Sequence, residues 1–322
     1  MKASGEKMND VKLSLVVPCY NEEANVRAFY ETVTRTFEGR IDRYEIVFVN
    51  DGSRDNTWGE LKQLHVADKR VKILNFSRNF GKEAAMFAGL HKVTGDYVSI
   101  IDADLQQHPE LVVRMVEFLE KNADYDSVAM FQEDRNESKL LSFFKKTFYR
   151  LINAMCEIDF RSGASDFRTF RRYVVDAVLE MKEYFRFSKG IFSWVGFNTY
   201  FMPYTAEERK AGQTSWSFKK LLKYAIEGIT AFTTVPLKIS AYIGGACSAF
   251  SLVYMLVVLI QKLFFGIDIP GYATTIVLIL LIGGIQLLAL GVMGQYISKI
   301  YIEGKKRPIF IVKEYGDSEA DD

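Results

Sequence analysis

The chain has 322 residues, 49% of them hydrophobic, long enough for one large domain or two ordinary ones around a substantial core. Its 41 basic and 40 acidic side chains leave a net charge of +1, which argues against nucleic-acid binding through bulk charge. The three cysteines, Cys19, Cys156 and Cys247, form no CxxC pair, so neither a disulfide framework nor a zinc site is indicated and a reducing compartment is expected.

The opening MKASGEKMNDVK is polar, and the apolar LSLVVP behind it is far shorter than a signal-peptide core, so no secretion signal is expected. Over residues 11–135, β-rich runs alternate with helical patterns: KLSLVVPCY, EEANVRAFYETVTRTF, YEIVFVND, TWGELKQLHVA, VKILNFS, KEAAMFAGLHKV and DYVSIIDAD. This alternation predicts an α/β fold with a mainly parallel sheet covered on both faces, and such sheets bind ligands at the carboxyl ends of their strands. Polar stretches fall at those ends, PCYNEE, NDGSRDNT, SRNFGKE and DADLQQHP, so four loops should converge on one edge.

Two later segments are amphipathic. In KLLSFFKKTFYRLINAM (139–155), Leu140, Phe144, Phe148, Leu151 and Met155 keep helical spacing, with Lys139, Lys146 and Arg150 on the far side. WSFKKLLKYAIEGITAF (216–232) repeats this with Phe218, Leu222, Ala225, Ile226 and Ile229 opposite Lys220, Lys223 and Glu227. Core-facing surface helices would look the same. Beside the apolar runs that follow, interfacial helices with basic faces toward anionic headgroups are the better reading.

Those runs are ISAYIGGACSAFSLVYMLVVLIQKLFFG and YATTIVLILLIGGIQLLALGVMGQYIS. Each exceeds the roughly 20 nearly uncharged residues needed to cross a bilayer, so two transmembrane helices are predicted in preference to a buried soluble hairpin. Lys219, Lys220, Lys223 and Lys238 precede the pair, and Lys299, Lys305, Lys306 and Arg307 follow it. The positive-inside rule then puts both flanks in the cytoplasm and the short GIDIPGY loop outside. The expected domains are 1–235, cytoplasmic and including both amphipathic helices, a transmembrane hairpin at 236–300, and a cytoplasmic tail at 301–322.

The four polar loops carry the chemistry. On an extended strand end, residues i and i+2 point the same way, so Asp102 and Asp104 can address one ligand together. Two bare carboxylates repel, and a hard divalent cation shared with substrate phosphates removes the repulsion. Asp51 also ends a strand, where it either accepts a hydrogen bond from a base or ribose or forms a turn with a helix cap. Gly81 and Lys82 open a helix, where free N–H groups and a cation suit a phosphate. Neither GxGxxG nor the P-loop pattern is present, His65, His91 and His108 share no metal-ligand spacing, and no nucleophilic serine elbow occurs.

Taken together, VVPCYNEEANV, VNDGSRDNT, SRNFGKEAAMFAGL and DADLQQHPE resemble the inverting glycosyltransferases of family 2, with the GT-A nucleotide-sugar-binding fold. With GASDFRTFRR and the two apolar runs, the chain is similar to polyprenyl-phosphate glycosyltransferases, both bactoprenol glucosyltransferases and dolichol-phosphate mannose synthases. The resemblance implies that Pro18, Tyr20, Asn21, Glu22 and Asp51 hold the base and ribose, with Asp102 and Ala103 also lining the donor. It implies Gly81, Lys82 and Arg135 near the donor phosphates, and Asp102, Asp104 and Gln106 around Mg²⁺ or Mn²⁺. Asp166 matches the acidic residue near the acceptor, and Arg209 matches a basic loop that closes over phosphate. That loop usually reads closer to RxxGxSK, whereas here the lysines come late, at Lys219 and Lys220.

The implied reaction is transfer of a hexose, by preference glucose from UDP-glucose, to a polyprenyl phosphate at the cytoplasmic face of the plasma membrane. A GDP-mannose-dependent enzyme is the nearest alternative, and a non-catalytic nucleotide-sugar-binding subunit a further one. A processive polysaccharide synthase would carry QxxRW and more spans, and no Arg-Trp pair occurs here. The resemblance also implies a homo-oligomer and a flippase or downstream glycosyltransferase as partners.

Overall fold

The computed structural model describes residues 12–132, 164–204, 233–265 and 271–316. They fall into an α/β unit, which takes in 12–132, 164–204 and 308–316, and a helical unit, 233–265 and 271–307. Arg135, Arg209, Cys156, Lys219, Lys220 and both amphipathic segments, 139–155 and 216–232, lie outside the described residues, as does most of the GIDIPGY loop.

In the α/β unit, β1 (Lys12–Cys19), β2 (Arg43–Asn50), β3 (Val71–Phe76) and β4 (Tyr97–Ile100) are parallel. Their side chains are buried almost throughout, which explains why they read as apolar runs without alternation. The helices α1 (Val26–Phe37), α2 (Thr57–Ala67) and α3 (Lys82–Lys92) connect them. In α1, Val26, Phe29, Val33 and Phe37 are buried at helical spacing. Gly89 lets α3 lie close on the sheet, since a Cβ there would stand 2.4 Å from Val16 Cγ1.

Further strands complete one sheet of order β7-β5-β6-β4-β1-β2-β3-β8, with β5 (Ser127–Gln132), β6 (Ala164–Arg171), β7 (Thr199–Tyr204) and β8 (Val312–Gly316). Helix α4 (Glu110–Lys121) leads from β4 to β5, and α5 (Arg172–Glu180) and α6 (Ser188–Trp194) lie between β6 and β7. Strand β6 runs antiparallel to β4, and β8 antiparallel to β3. The chain builds β2 and β3 on one side of β1 and β4 on the other, so the β1–β4 gap is the switch point where an open sheet forms a crevice.

Three expectations are corrected. The first helix starts at Val26, because Asn21 takes a left-handed conformation (φ 56°) and the Glu22 carbonyl accepts from the Asn25 and Val26 N–H groups. Strand β4 ends at Ile100, so Asp102 and Asp104 stand in a turn, with Leu105 at φ 57°, and strand periodicity does not align them. Of the expected 301–322 tail, the described part, 301–316, is joined to folded structure. It ends a helix at Gly304 and then supplies β8, fastened where Trp58 Nε1 and Lys62 Nζ each reach Glu314 at 2.9 Å and where Phe310 stacks on Phe76.

The helical unit holds α7 (Val235–Phe265) and α8 (Tyr272–Gly304), joined near their ends by a Tyr296 hydroxyl donating to the Thr233 carbonyl at 2.6 Å. Within them, Val235–Val258 and Val277–Gly304 are long and apolar enough to cross a membrane. Their apolar side chains are exposed, Leu280 at 69% and Leu287 at 71%, which a buried soluble hairpin would not allow. Both helices fit transmembrane helices.

Candidate active site

Each strand-end loop is tied to the next. In the loop after β1, the Asn21 N–H donates to Ser53 Oγ at 2.9 Å, and Asn21 Oδ1 accepts from the Arg54 N–H at 2.9 Å. The Glu22 N–H donates to Thr57 Oγ1 at 2.8 Å, and the Asn56 N–H to Glu23 Oε2 at 2.8 Å. The left-handed backbone at Asn21 suits asparagine better than most residues. Pro18 is tolerated inside a central strand for a related reason. The Ile101 N–H donates to the Val16 carbonyl on the β4 side, and by the two-residue period Pro18 faces that side beyond the end of β4, where no ladder bond is lost.

The loop after β2 is tied to the loop after β3 by Asp51. This buried carboxylate accepts from the Phe80 N–H at 2.6 Å and the Gly81 N–H at 2.9 Å, and burial still leaves its pKa raised. Gly52, at φ 63°, lets the Arg78–Asn79 backbone pass, for a Cβ there would meet the Arg78 carbonyl carbon at 2.4 Å. Asp51 thus braces the loop after β3. The Gly81 N–H, expected free for phosphate, is spent on Asp51.

The loop after β3 meets the loop after β4 through Lys82. Its Nζ lies 2.5 Å from Asp102 Oδ1 and 3.9 Å from Asp166 Oδ2, and these carboxylates, with Asp104, favour its charged form against burial. Asp166 comes from distant sequence because β6 lies antiparallel beside β4 with Ile100 opposite Arg168, so continuing past the strand end sets Asp166 beside the Asp102 loop.

The paired aspartates are supported locally. The Gln106 N–H donates to Asp104 Oδ1 at 3.1 Å, and the buried Gln107 amide brackets Asp102, accepting from its N–H at 3.1 Å and donating to Oδ2 at 3.4 Å. The sequence reading chose Gln106 and missed Gln107, whose only signal was its place in the QQ pair. Ala103 is packed in the core, and Tyr20 stands 42% exposed at the rim. Glu22 has its pKa raised, first by burial and then by the charges of Asp104 and Asp102, and the buried Cys19 thiol is raised by burial, Glu22 and Asp102.

Among the described residues no group of three His, Cys, Asp or Glu is arranged to hold a metal alone. Asp102 and Asp104 are hard oxygen donors at the centre of a negative field felt by Glu22, so they fit a hard cation that takes its remaining ligands from a diphosphate.

Beyond Asp166 lies a group of charged residues that the sequence reading did not select. Glu83, in the first turn of α3, accepts from the Ser188 N–H at 2.9 Å and also from the Ser188 hydroxyl. Burial and the Asp166 charge push the Glu83 pKa up to about 7. Arg168 is buried, stacks 4.4 Å from the Phe192 ring centre, and has its pKa pushed down to about 10 by burial. Among the described residues, Asp166 Oδ1 and Arg168 Nε are buried and have no hydrogen-bond partner.

A mostly parallel α/β sheet whose strand-end loops gather over the switch point, with paired aspartates on one of them, defines a GT-A-like glycosyltransferase. The model for Glycosyl transferase family 2 matches residues 14–179 and that for the GtrB C-terminal hairpin matches residues 235–300, so the chain belongs to glycosyltransferase family 2. It is 41% identical over 304 residues to the prophage bactoprenol glucosyl transferase homolog of Escherichia coli (strain K12), covering 94% of this chain and 99% of that one. The bactoprenol glucosyl transferase of Shigella phage SfX is likewise 41% identical, with the same coverage. An uncharacterized glycosyltransferase of Bacillus subtilis (strain 168), YkcC, is 42% identical over 311 residues, 95% of each chain. Among solved structures, glucosyl-3-phosphoglycerate synthase from Mycobacterium tuberculosis, in complex with Mn²⁺, uridine diphosphate and phosphoglyceric acid, aligns with a TM-score of 0.48 and 18% identity, over 69% of this chain and 77% of that one.

Proposed function

We propose that the protein transfers glucose from UDP-glucose to a polyprenyl phosphate at the cytoplasmic face of the membrane, with inversion at the anomeric carbon. The observation that carries this reading is Lys82, whose ammonium adjoins both Asp102 and Asp166, so the paired aspartates and the acidic residue of β6 border one site. Similarity along 94% of the chain to proteins named bactoprenol glucosyl transferase supports the acceptor and the sugar. The two apolar helices support a multi-pass membrane protein whose lipid substrate stays in the bilayer.

Asp102, Asp104 and Gln106 would hold Mg²⁺ or Mn²⁺, which as a Lewis acid stabilises the departing diphosphate. The loops of Asn21, Glu22 and Asp51 form a rigid wall for the nucleoside, with Pro18 and Tyr20 at its rim. Lys82 sits where the diphosphate leaves and Asp166 where the acceptor or sugar hydroxyls align. Arg135 and Arg209 are assigned to phosphate by resemblance alone. In this reading 1–235 and the segment after the hairpin are cytoplasmic, and a homo-oligomer and a flippase or downstream glycosyltransferase complete the assembly.

The test is incubation of membranes containing the protein with each labelled nucleotide sugar and undecaprenyl phosphate, followed by lipid extraction. Label in the lipid from UDP-glucose is expected, and label from GDP-mannose alone would replace the proposed donor. A cysteine at Gly271 should react with an impermeant thiol reagent outside intact cells, and one at Lys305 should not. The reverse pattern would overturn the cytoplasmic placement.

A further inference from the structure

We propose that Phe310 is a positioning residue for the donor. Its ring, carried on the segment that follows the second apolar helix, holds both ends of the loop after β3 and so sets Lys82 where the diphosphate leaves. This inference rests on the UDP-glucose reading above. Residues 305–309 alone separate the end of α8 from Phe310. The ring lies stacked on Phe76, the last residue of β3, with centres 5.2 Å apart and planes 11° from parallel. It also stands edge-on to Phe87 of α3, 6.4 Å away. Strand β3 leads into the loop 77–81 and α3, which begins at Lys82, leads out of it, so one side chain spans the entry and the exit. Next to it, the Ile311 carbonyl accepts from the Ser77 N–H at 3.0 Å, which fixes the first residue of the loop. Within the loop, Phe80 packs edge-on against Phe76 at 5.7 Å, while its N–H and that of Gly81 donate to Asp51. Strand β3 has β2 on one side and β8 on the other, so the loop is gripped from two flanks, by Asp51 and by the segment 310–312.

Covering the edge of the sheet does not require Phe310. Strand β8 does that by pairing with β3 over Ile73, Leu74 and Asn75, opposite Gly316, Tyr315 and Glu314. The register then slips by one residue, leaving Lys313 without an opposite number before Phe76 meets Val312. A bulge of this kind re-aims a strand and is common beside active sites. Past the bulge β3 has ended, and the returning chain follows the loop instead, through Ile311 and Phe310. Phe76 and Phe87 are both buried, so removing the Phe310 ring would open a void against them and let Phe76, Phe80 and the loop shift together. In the sequence Phe310 has no local signal, standing in KKRPIFIV beyond the apolar run.

The test uses the full chain in nanodiscs, with transfer measured at varied UDP-glucose and at varied polyprenyl phosphate. Phe310→Ala should raise the donor KM about tenfold, the scale of a lost aromatic stack, while the acceptor KM stays within about threefold. Phe310→Tyr, which keeps the stacked ring, should restore the wild-type donor KM. A residue with a structural role alone would lower the melting temperature and the yield of active enzyme with both KM values unchanged. That outcome overturns the proposal, as does an equal rise of both. A second measurement needs no variant. In the wild-type protein, UDP with Mg²⁺ should slow amide hydrogen exchange in 309–312 along with 77–82, because a ligand that steadies the loop steadies what the loop rests on. Protection of 77–82 with none at 309–312 also overturns it. If the wild-type protein transfers no glucose from UDP-glucose, the preceding reading falls and this one with it. If it does so while both Phe310 signals are missing, this inference alone falls.

Discussion

The loops at the ends of β1, β2 and β3 and the segment from β6 to α6 border the same site but are built in opposite ways. Asn21, Ser53, Arg54, Asp51, Phe80 and Gly81 hydrogen-bond across from loop to loop, so that half holds its shape from its own contacts. Among the described residues, the buried side-chain atoms without a hydrogen-bond partner, Asp166 Oδ1, Arg168 Nε, Glu183 Oε2 and Arg186 Nε, all lie between residues 166 and 186. Buried polar atoms are ordinarily satisfied, because leaving one unpaired costs about 1–3 kcal/mol. One half is thus preorganised, and the other carries unmet hydrogen-bonding capacity that reaches the site at Asp166, beside Lys82.

The sharpest way to break this contrast is to remove the cation. Asp104→Asn, or excess EDTA on the wild type, should lower transfer on the order of a thousandfold or more. Because the loops hold themselves together, the melting temperature should barely move. Full activity in EDTA would refute the metal role, and a large fall in melting temperature would refute the self-supporting loops.

Next in size is Asp166. Its replacement by alanine should cost roughly two to three orders of magnitude in rate through misplacement of the reactants. A phosphate monoester has a second pKa of about 6, so near neutrality the acceptor is mostly a dianion with no proton to give up and base catalysis gains little. Under single turnover with both substrates saturating, Asp166→Asn and wild type should rise through the same pKa and differ by a constant factor. Loss of that rising limb, or rescue by a small added base, would make Asp166 a general base.

A smaller effect is expected on the preorganised side from Gly52→Ala, which combines a positive φ with a Cβ driven into the Arg78–Asn79 backbone. It should destabilise by about 2–3 kcal/mol, read as a lower melting temperature with donor affinity falling in step. An unchanged melting temperature would mean that the loop contact yields easily.

The last concerns Glu83. Its folded pKa, about 7, lies above the ordinary 4.5, so the folded protein retains a proton that the unfolded chain releases. Stability is therefore lost as pH rises from about 4.5 to about 7, and Glu83→Gln should flatten that fall while its amide oxygen still accepts from Ser188. Identical pH profiles of melting temperature for variant and wild type would place Glu83 in a wetter setting than its burial indicates.

How far the sequence reached follows from the range of each interaction. Strands β1 to β4, helices α2 and α3 and the two membrane-type helices were legible because two-residue and 3.6-residue periods, and long uncharged runs, are local properties of the chain. The gathering of four polar loops followed from the βα alternation. The motifs placed Asp102, Asp104 and Asp166 together only through family resemblance, since nothing local links residues 102 and 166. Tertiary structure decided that link by inserting β6 antiparallel beside β4, and it decided that Lys82 stands between the two carboxylates. It also turned Asp51 toward the Phe80–Gly81 backbone, returned the segment after the second apolar helix to the sheet as β8, and fastened the start of α6 to α3 through the Glu83–Ser188 contact. Each of these depends on which distant segments pack together, and packing is set by the whole core, where the period of any one segment has no say.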